Sequence, residues 1–340
     1  MKYSMISVAF GAAVSLAAAS ASASAATLDD IKAKGHIQCG VSGALIGFSF
    51  IDDQNKTTGL DADFCRAVAA AIFNDPEAVR YTALTAKERF TALQSGEVDL
   101  LSRNTTWTMG RDTALGLKFA GVTYYDGQGF MVKKELGVAS AKELDGASVC
   151  TQTGTTTELN LADYFRANEM TYEVVAFEGS DETLQAYEAG RCDVFTTDAS
   201  GLYAERLKFA NPDDHIILPE IISKEPLGPV VRQGDDQWFN VVKWTYYALL
   251  VAEELGVNQA NVDEMKTNPN PEVKRLLGTE GSFGEAIGLS NDWAVNVIKA
   301  VGNYGEIFER NVGPDTPLKI ERGLNNLWTK GGIQYGMPIR

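Results

Sequence analysis

Leu93-Gln94-Ser95-Gly96-Glu97-Val98-Asp99-Leu100 and Ala186-Tyr187-Glu188-Ala189-Gly190-Arg191-Cys192-Asp193-Val194 are two versions of one phrase. In each, a helix-like run stops at Gly, and an Asp then opens an apolar strand. Each strand ends in a polar cluster, Ser102-Arg103-Asn104-Thr105-Thr106 in the first copy and Thr196-Thr197-Asp198-Ala199-Ser200 in the second. Ligands of open α/β sheets bind beyond the carboxyl ends of strands. Two such ends on two similar lobes point to one ligand held between them.

The surrounding chain fits that plan. Its 340 residues exceed one usual domain and match two. Lobe one reads as a strand from His36 to Val41, a small-residue loop Ser42–Gly47, a strand Phe48–Ile51 and a helix from about Asp61 to Phe73. Thr85 and Glu88 form a capping box for a helix that Gly96 ends. Lobe two repeats the order: strand Ala147–Thr151, a helix from the Thr155/Glu158 capping box to about Asn168, strand Tyr172–Phe177, helix Ser180–Ala189 and strand Asp193–Thr196. Alternating strands and helices call for parallel-type sheets. The chain crosses between lobes near Tyr125–Val132 and near Pro226–Val231. Residues 26–127 plus 228–340 are therefore expected to form lobe one, and 128–227 lobe two. Trp238–Glu254 is a long amphipathic helix of lobe one, and Trp293–Phe308 and Leu318–Trp328 are expected as further helices packed on it.

Residues 1–25 read as a cleavable secretory signal. Lys2 precedes a short apolar run, and Ala21-Ser22-Ala23 and Ala23-Ser24-Ala25 both fit the cleavage pattern. Net charge is −15, with no basic cluster, which argues against a nucleic-acid partner. Four cysteines, Cys39, Cys65, Cys150 and Cys192, fit an oxidising compartment. Pairing Cys39 with Cys65 and Cys150 with Cys192 keeps each bridge within one lobe, whereas either other pairing bolts the lobes together; four buried thiols are the alternative. Their spacing matches no metal site. No P-loop, G-x-S-x-G or H-E-x-x-H is present, and no cofactor is expected.

Several residues could carry binding chemistry. Arg111 lies in the first turn of a helix capped by Thr108, a place where a cation is unfavourable unless an anion sits with it. A surface pair with Asp112 is the competing reading. Thr155 and Thr156 open a second helix, a natural anion site, although capping alone explains Thr155. Asp198 ends the second repeat's strand and could receive an ammonium, or be an ordinary turn residue. Asn104 and Thr106 hold the equivalent place in the first repeat. Trp107 either walls a pocket or packs against the helix. Together these groups match the zwitterionic head of an α-amino acid.

The chain resembles the periplasmic solute-binding proteins of polar-amino-acid ABC importers, and within them the general L-amino-acid-binding subgroup. The resemblance rests on Gly59-Leu60-Asp61-Ala62-Asp63-Phe64-Cys65-Arg66-Ala67-Val68, Ser102–Thr108, Gly154–Asn160, Gly190–Asp193 and Arg322-Gly323-Leu324-Asn325-Asn326-Leu327-Trp328. It implies a two-lobe, type II (Venus-flytrap) α/β fold with a helical C-terminal extension. It also implies a monomer that closes over an L-amino acid and delivers it to inner-membrane ABC permease subunits. By the same resemblance Arg111 grips the α-carboxylate with help from Thr156, Asn104 and Thr106 form a shelf, and Asp198 holds the α-ammonium. The Ser42–Gly47 loop lacks the acidic and aromatic residues of the basic-amino-acid binders, which implies a roomier, less charged side-chain pocket. A dehydratase-like enzyme on the same fold, with Glu178 or Asp126 as acid or base, is one alternative function. A ligand-sensing partner of a membrane receptor is another.

Overall fold

The computed structural model describes residues 27–340, so the signal-like segment lies outside the described residues. Lobe one begins with α1 (Thr27–Lys34), β1 (Ile37–Val41) and a small antiparallel sheet of β2 (Ala44–Leu45), β3 (Ser49–Ile51) and β4 (Thr57–Thr58). There follow α2 (Leu60–Phe73), β5 (Val79–Ala83), α3 (Arg89–Ser95), β6 (Leu100–Leu101), α4 (Met109–Ala114) and β7 (Leu117–Phe119). The first crossing uses β8 (Tyr124–Asp126) and leads into β9 (Gln128–Lys133). Lobe two then continues with β10 (Ala147–Gln152), α5 (Thr156–Ala167), β11 (Tyr172–Phe177), α6 (Ser180–Glu188), β12 (Val194–Asp198), α7 (Ala199–Arg206) and β13 (His215–Ile217). The chain returns through β14 (Glu225–Leu227) and β15 (Val230–Arg232) to α8 (Asp236–Glu254).

The two main sheets have the same plan. The first runs β5-β1-β6-β15-β7 and the second β11-β10-β12-β9-β13. In each, three parallel strands are followed by one antiparallel strand, β15 or β9, and then by an edge strand, β7 or β13, that is antiparallel to it and so runs with the first three. Between the sheets, β8 and β14 pair as an antiparallel ribbon, with Glu225 opposite Asp126. This ribbon is the double crossing.

The repeated phrase has a structural explanation. Gly96 and Gly190 adopt φ of 81° and 73°, the left-handed turn that ends a helix and that residues with a Cβ resist. The Asp that follows locks its strand to the neighbour. Asp99 accepts from the Gln38 backbone N–H at 2.9 Å while its own N–H donates to the Gln38 carbonyl at 2.8 Å. Asp193 does the same with Ser148, at 3.0 and 2.9 Å. The two aspartates set strand register and lie away from the cleft-facing ends.

Alternating strand residues face opposite sides of each sheet. In lobe two, Phe130, Val132, Val149 and Val194 pack under α5 with Leu161 and Phe165, while Met131, Cys150 and Phe195 meet Leu184, Tyr187 and Leu202 on the other side. Lobe one has a larger core. The buried side of α8 (Trp238, Val241, Val242, Thr245, Ala248, Leu249 and Ala252) is the side that helical spacing predicts. The bridges Cys39–Cys65 and Cys150–Cys192 are both formed, each within one sheet and its helices.

The C-terminal region departs from expectation in two places. Trp293–Phe308 is not one helix. After the short helices α9 (Val262–Met265), α10 (Pro271–Leu276) and α11 (Phe283–Ala286), it forms α12 (Trp293–Val301) and α13 (Tyr304–Asn311), and the break lies at Gly302, φ 75°, followed by an Asn303/Glu306 capping box. Leu318–Trp328 is not a helix either, because Lys319 and Gly323 take left-handed φ of 53° and 49° and only a 3-10 turn, Gly323–Asn325, forms. Asn325 is instead turned inward onto the ribbon. It accepts from the Tyr125 N–H at 2.6 Å and donates to the Tyr125 carbonyl at 3.0 Å. None of the helices described is long and apolar enough to cross a membrane.

Candidate functional site

The carboxyl ends of β6 and β12 face each other across the cleft between the lobes, so the two polar clusters meet. Asn104 sits at φ 29°, a left-handed conformation that Asn tolerates better than most residues. It is held there by Asp61, whose Oδ2 accepts the Asn104 backbone N–H at 2.9 Å. From that position the Asn104 side chain donates to Asp198 Oδ2 at 3.3 Å, across the cleft. Asp61 opens α2 and was legible only as part of a motif, not as the support of this turn. Burial pushes its carboxyl up to about 6, against the opposing pull of the Asn104 N–H and of Arg103.

Arg111 lies in the first turn of α4. Thr108 caps that helix by accepting the Arg111 N–H at 3.2 Å. The guanidinium folds back, donates from Nη1 to the Thr106 carbonyl at 2.9 Å and lies 5.0 Å over the Phe90 ring. Among the described residues it has no carboxylate within salt-bridge reach, and the Asp112 pair does not form. Burial lowers its pKa, partly offset by the carboxylates of Glu225 and Asp198. Arg89 and Arg103 lie deeper, 3% and 5% exposed. Arg103 is anchored by Nε to the Leu84 carbonyl at 2.8 Å.

Lobe two presents Asp198 at the end of β12. Burial holds its carboxyl well above the usual range, with the nearby carboxylates of Asp126 and Glu225 pushing the same way and Asn104 and Arg89 pulling it down. Such a group ionises readily only when a cation arrives. Thr155 is a helix cap: its hydroxyl accepts from the Glu158 N–H at 3.2 Å and donates to the Gln152 carbonyl at 2.7 Å. Thr156 follows as the first residue of α5, where the opening backbone N–H groups have no partner within the helix. Its hydroxyl lies 3.2 Å from that of Thr106, so the lobes touch here as well. Trp107, 38% exposed, stacks on Phe119 of β7 at 5.4 Å rather than on the helix that follows it.

Sequence reasoning missed Glu225. It is 1% exposed at the start of β14, and its carboxylate takes the hydroxyls of both Thr106 and Thr156 at 2.6 and 2.8 Å. Only the folded ribbon brings it to the cleft, and no spacing in the sequence marks it.

Beside this cluster is a cavity of about 260 Å³. Ser42 and Ala44 line it, as expected of the first-strand loop, but so do Arg103, Glu88, Glu178 and Glu182. Its wall thus carries both signs of charge and is less neutral than the loop alone implies. An exposed ion pair between Lys87 and Glu178 bridges the lobes at its rim. Among the described residues no cluster of His, Cys, Asp and Glu could hold a metal ion.

The chain is 65% identical, over the full length of both, to the general L-amino acid-binding periplasmic protein AapJ of Rhizobium johnstonii. It is 55% identical to the glutamate/glutamine/aspartate/asparagine-binding protein BztA of Rhodobacter capsulatus, covering 97% of this chain and 98% of that one. A periplasmic binding protein from Brucella ovis, solved with glutathione bound, superposes with a TM-score of 0.92 at 62% identity, covering 93% of this chain and 100% of the other. Residues 37–256 match the family described as bacterial extracellular solute-binding proteins, family 3. With its two lobes, its double crossing and its polar cleft, the chain belongs to that family.

Proposed function

We propose that this protein binds free L-amino acids of many kinds between its lobes and delivers them to an inner-membrane ABC importer. One observation carries the reading: a desolvated Arg111 from lobe one, without a carboxylate partner, and a buried Asp198 from lobe two share one cleft. An α-amino acid supplies the two missing charges. Its carboxylate is taken by the Arg111 guanidinium and the backbone N–H of Thr156. Its ammonium is taken by Asp198, with Asn104 and the threonine hydroxyls around it. The side chain enters the cavity beyond Ser42, where Arg103 and the glutamates can meet polar groups of either sign. A broad amino-acid ligand set is supported by the relatives AapJ, a general L-amino acid-binding protein, and BztA, a glutamate/glutamine/aspartate/asparagine-binding protein.

The lobes are divided as 26–127 plus 228–340 and 128–227, and the crossing ribbon lies at both junctions. The protein works as a monomer in the periplasm after loss of residues 1–25. It returns its ligand unchanged. Asp126, pushed up to about 6 by burial, is held by Ser200 and by the Gly127 N–H, a supporting arrangement rather than one aimed at chemistry.

Calorimetry with three forms of one amino acid tests the head-group claim. Free alanine should bind, whereas N-acetylalanine and alaninamide should not, since each lacks one charge. Equal affinity for the blocked forms would overturn the assignment. Mass spectrometry of incubated amino acids tests for turnover, and any new product would rule out a pure binder.

A further inference from the structure

Glu225 is a buried carboxylate with no assigned part in ligand recognition. All four of its near lone-pair directions are used. Oε2 accepts from the hydroxyls of Thr106 at 2.6 Å and Thr156 at 2.8 Å. Oε1 accepts from Asn160 Nδ2 at 2.6 Å and from the Ser223 hydroxyl at 2.6 Å. These donors come from three parts of the fold: Thr106 from lobe one, Thr156 and Asn160 from α5 of lobe two, and Ser223 from the approach to the ribbon.

The two sides are not equivalent. The Thr106 side is stitched to β14 by backbone contacts. The Trp107 N–H donates to the Pro226 carbonyl at 2.8 Å, the Gly228 N–H to the Thr105 carbonyl at 3.0 Å, and Thr106 forms a β-bridge with Leu227. Glu225 lies in the return crossing, near the end of the 128–227 segment, and these bonds fasten that crossing to lobe one. Its contacts with Thr156 and Asn160 are made by side chains alone, and only when α5 is close.

We propose that Glu225 is a positioning residue that latches the closed cleft, by catching Thr156 and Asn160 of lobe two from a strand fixed to lobe one. Hydrogen bonds to a charged acceptor are worth more than neutral ones, and two of the four are lost each time the lobes part. The latch also fixes the polarity of the site. A hydroxyl has one proton, and Thr106 and Thr156 both give theirs to Glu225. Their remaining lone pairs can only accept, which suits an ammonium, and the carboxylate is left to Arg111 and backbone N–H groups. This second consequence rests on the amino-acid reading above, while the latch itself does not. Because Glu225 acts on closure, it affects every ligand alike.

The test uses the mature chain and two variants, Glu225→Gln and Asn160→Ala. A glutamine offers one acceptor oxygen to four donors and keeps the size of the side chain. Calorimetry with glutamate, glutamine, alanine and leucine should show Glu225→Gln weakening all four by one common factor, ~10-fold or more. Asn160→Ala should weaken them by a smaller common factor. Small-angle scattering should give Glu225→Gln a larger radius of gyration than the parent, both with and without added glutamine, at an unchanged circular dichroism spectrum. Unchanged affinity and radius in both variants would overturn the latch. So would a loss confined to some of the four ligands, or a lowered melting temperature with neither affinity nor radius altered. Failure of the parent itself to bind any of the four would instead defeat the amino-acid reading, and the radius measured without ligand would still report on the latch.

Discussion

The two lobes share a scaffold and differ in what they place at its edge. Their sheets have the same strand order, and Asp99 and Asp193 perform the same register lock on Gln38 and Ser148. Beyond that point the copies diverge. The first strand ends in Arg103 and Asn104, with Arg111 nearby; the second ends in Asp198. The shared fold gives two similar walls, and a few differing residues at the strand ends put a guanidinium on one and a carboxylate on the other. A cleft built from two identical ends would suit a doubly charged ligand of one sign, not a zwitterion.

That contrast can be attacked directly. Arg111→Ala should have the largest effect, weakening every amino-acid ligand by about 3–5 kcal/mol, because it leaves a ligand carboxylate buried without its partner. Asp198→Asn should be comparable at the ammonium end. Calorimetry checks both, and a variant that lost only some ligands would place its residue at the side chain instead. The disulfides come next. On loop length alone, opening Cys150–Cys192, separated by 42 residues, should cost about 4 kcal/mol, and opening Cys39–Cys65, separated by 26, about 3.5 kcal/mol. Denaturant unfolding of the paired serine variants should rank them in that order, and the smaller core of lobe two should widen the gap.

A pH experiment probes the carboxylates near the ribbon. Burial raises Asp126 from 3.8 to about 6, so the native state holds that proton more tightly than the unfolded chain does. Its contribution to stability is present below about pH 4 and is lost as pH rises through about 6. Asp126→Asn removes the titration, so its stability relative to the parent should improve between those limits, by about 1–3 kcal/mol. Melting curves at pH 4 and pH 7 would show it, and a constant difference would contradict it. Smallest of all is Lys87→Ala at the rim. An exposed ion pair is screened by solvent, so affinity should change by less than about threefold, and less still in high salt.

Much of this was legible in the sequence because it follows from local rules. Helical spacing gave the buried side of α8, the repeated Gly and Asp gave the two strand ends, and the intralobe cysteine pairing followed from keeping the lobes free. The misses are of two kinds. The break at Gly302 carried a readable signal, since Asn303 and Glu306 have capping-box spacing, but the apolar periodicity on both sides masked it. Glu225, Asp61 and the inward turn of Asn325 had no local signal. Each acts on a partner far along the chain, and such contacts exist only after the sheets have formed. Trp107 lies between these cases: its neighbours in sequence are polar, yet its ring is committed to Phe119.

The grip of Asn325 on Tyr125 has a practical side. The outer margin of β8 would otherwise be a bare strand edge, and bare edges recruit other chains. By filling both backbone positions of Tyr125, one amide side chain does the work of a third strand. Deleting the last two dozen or so residues, which lie outside the 37–256 family match, would uncover that margin. A shortened chain would then be exposed to self-association at the very place where the lobes must bend.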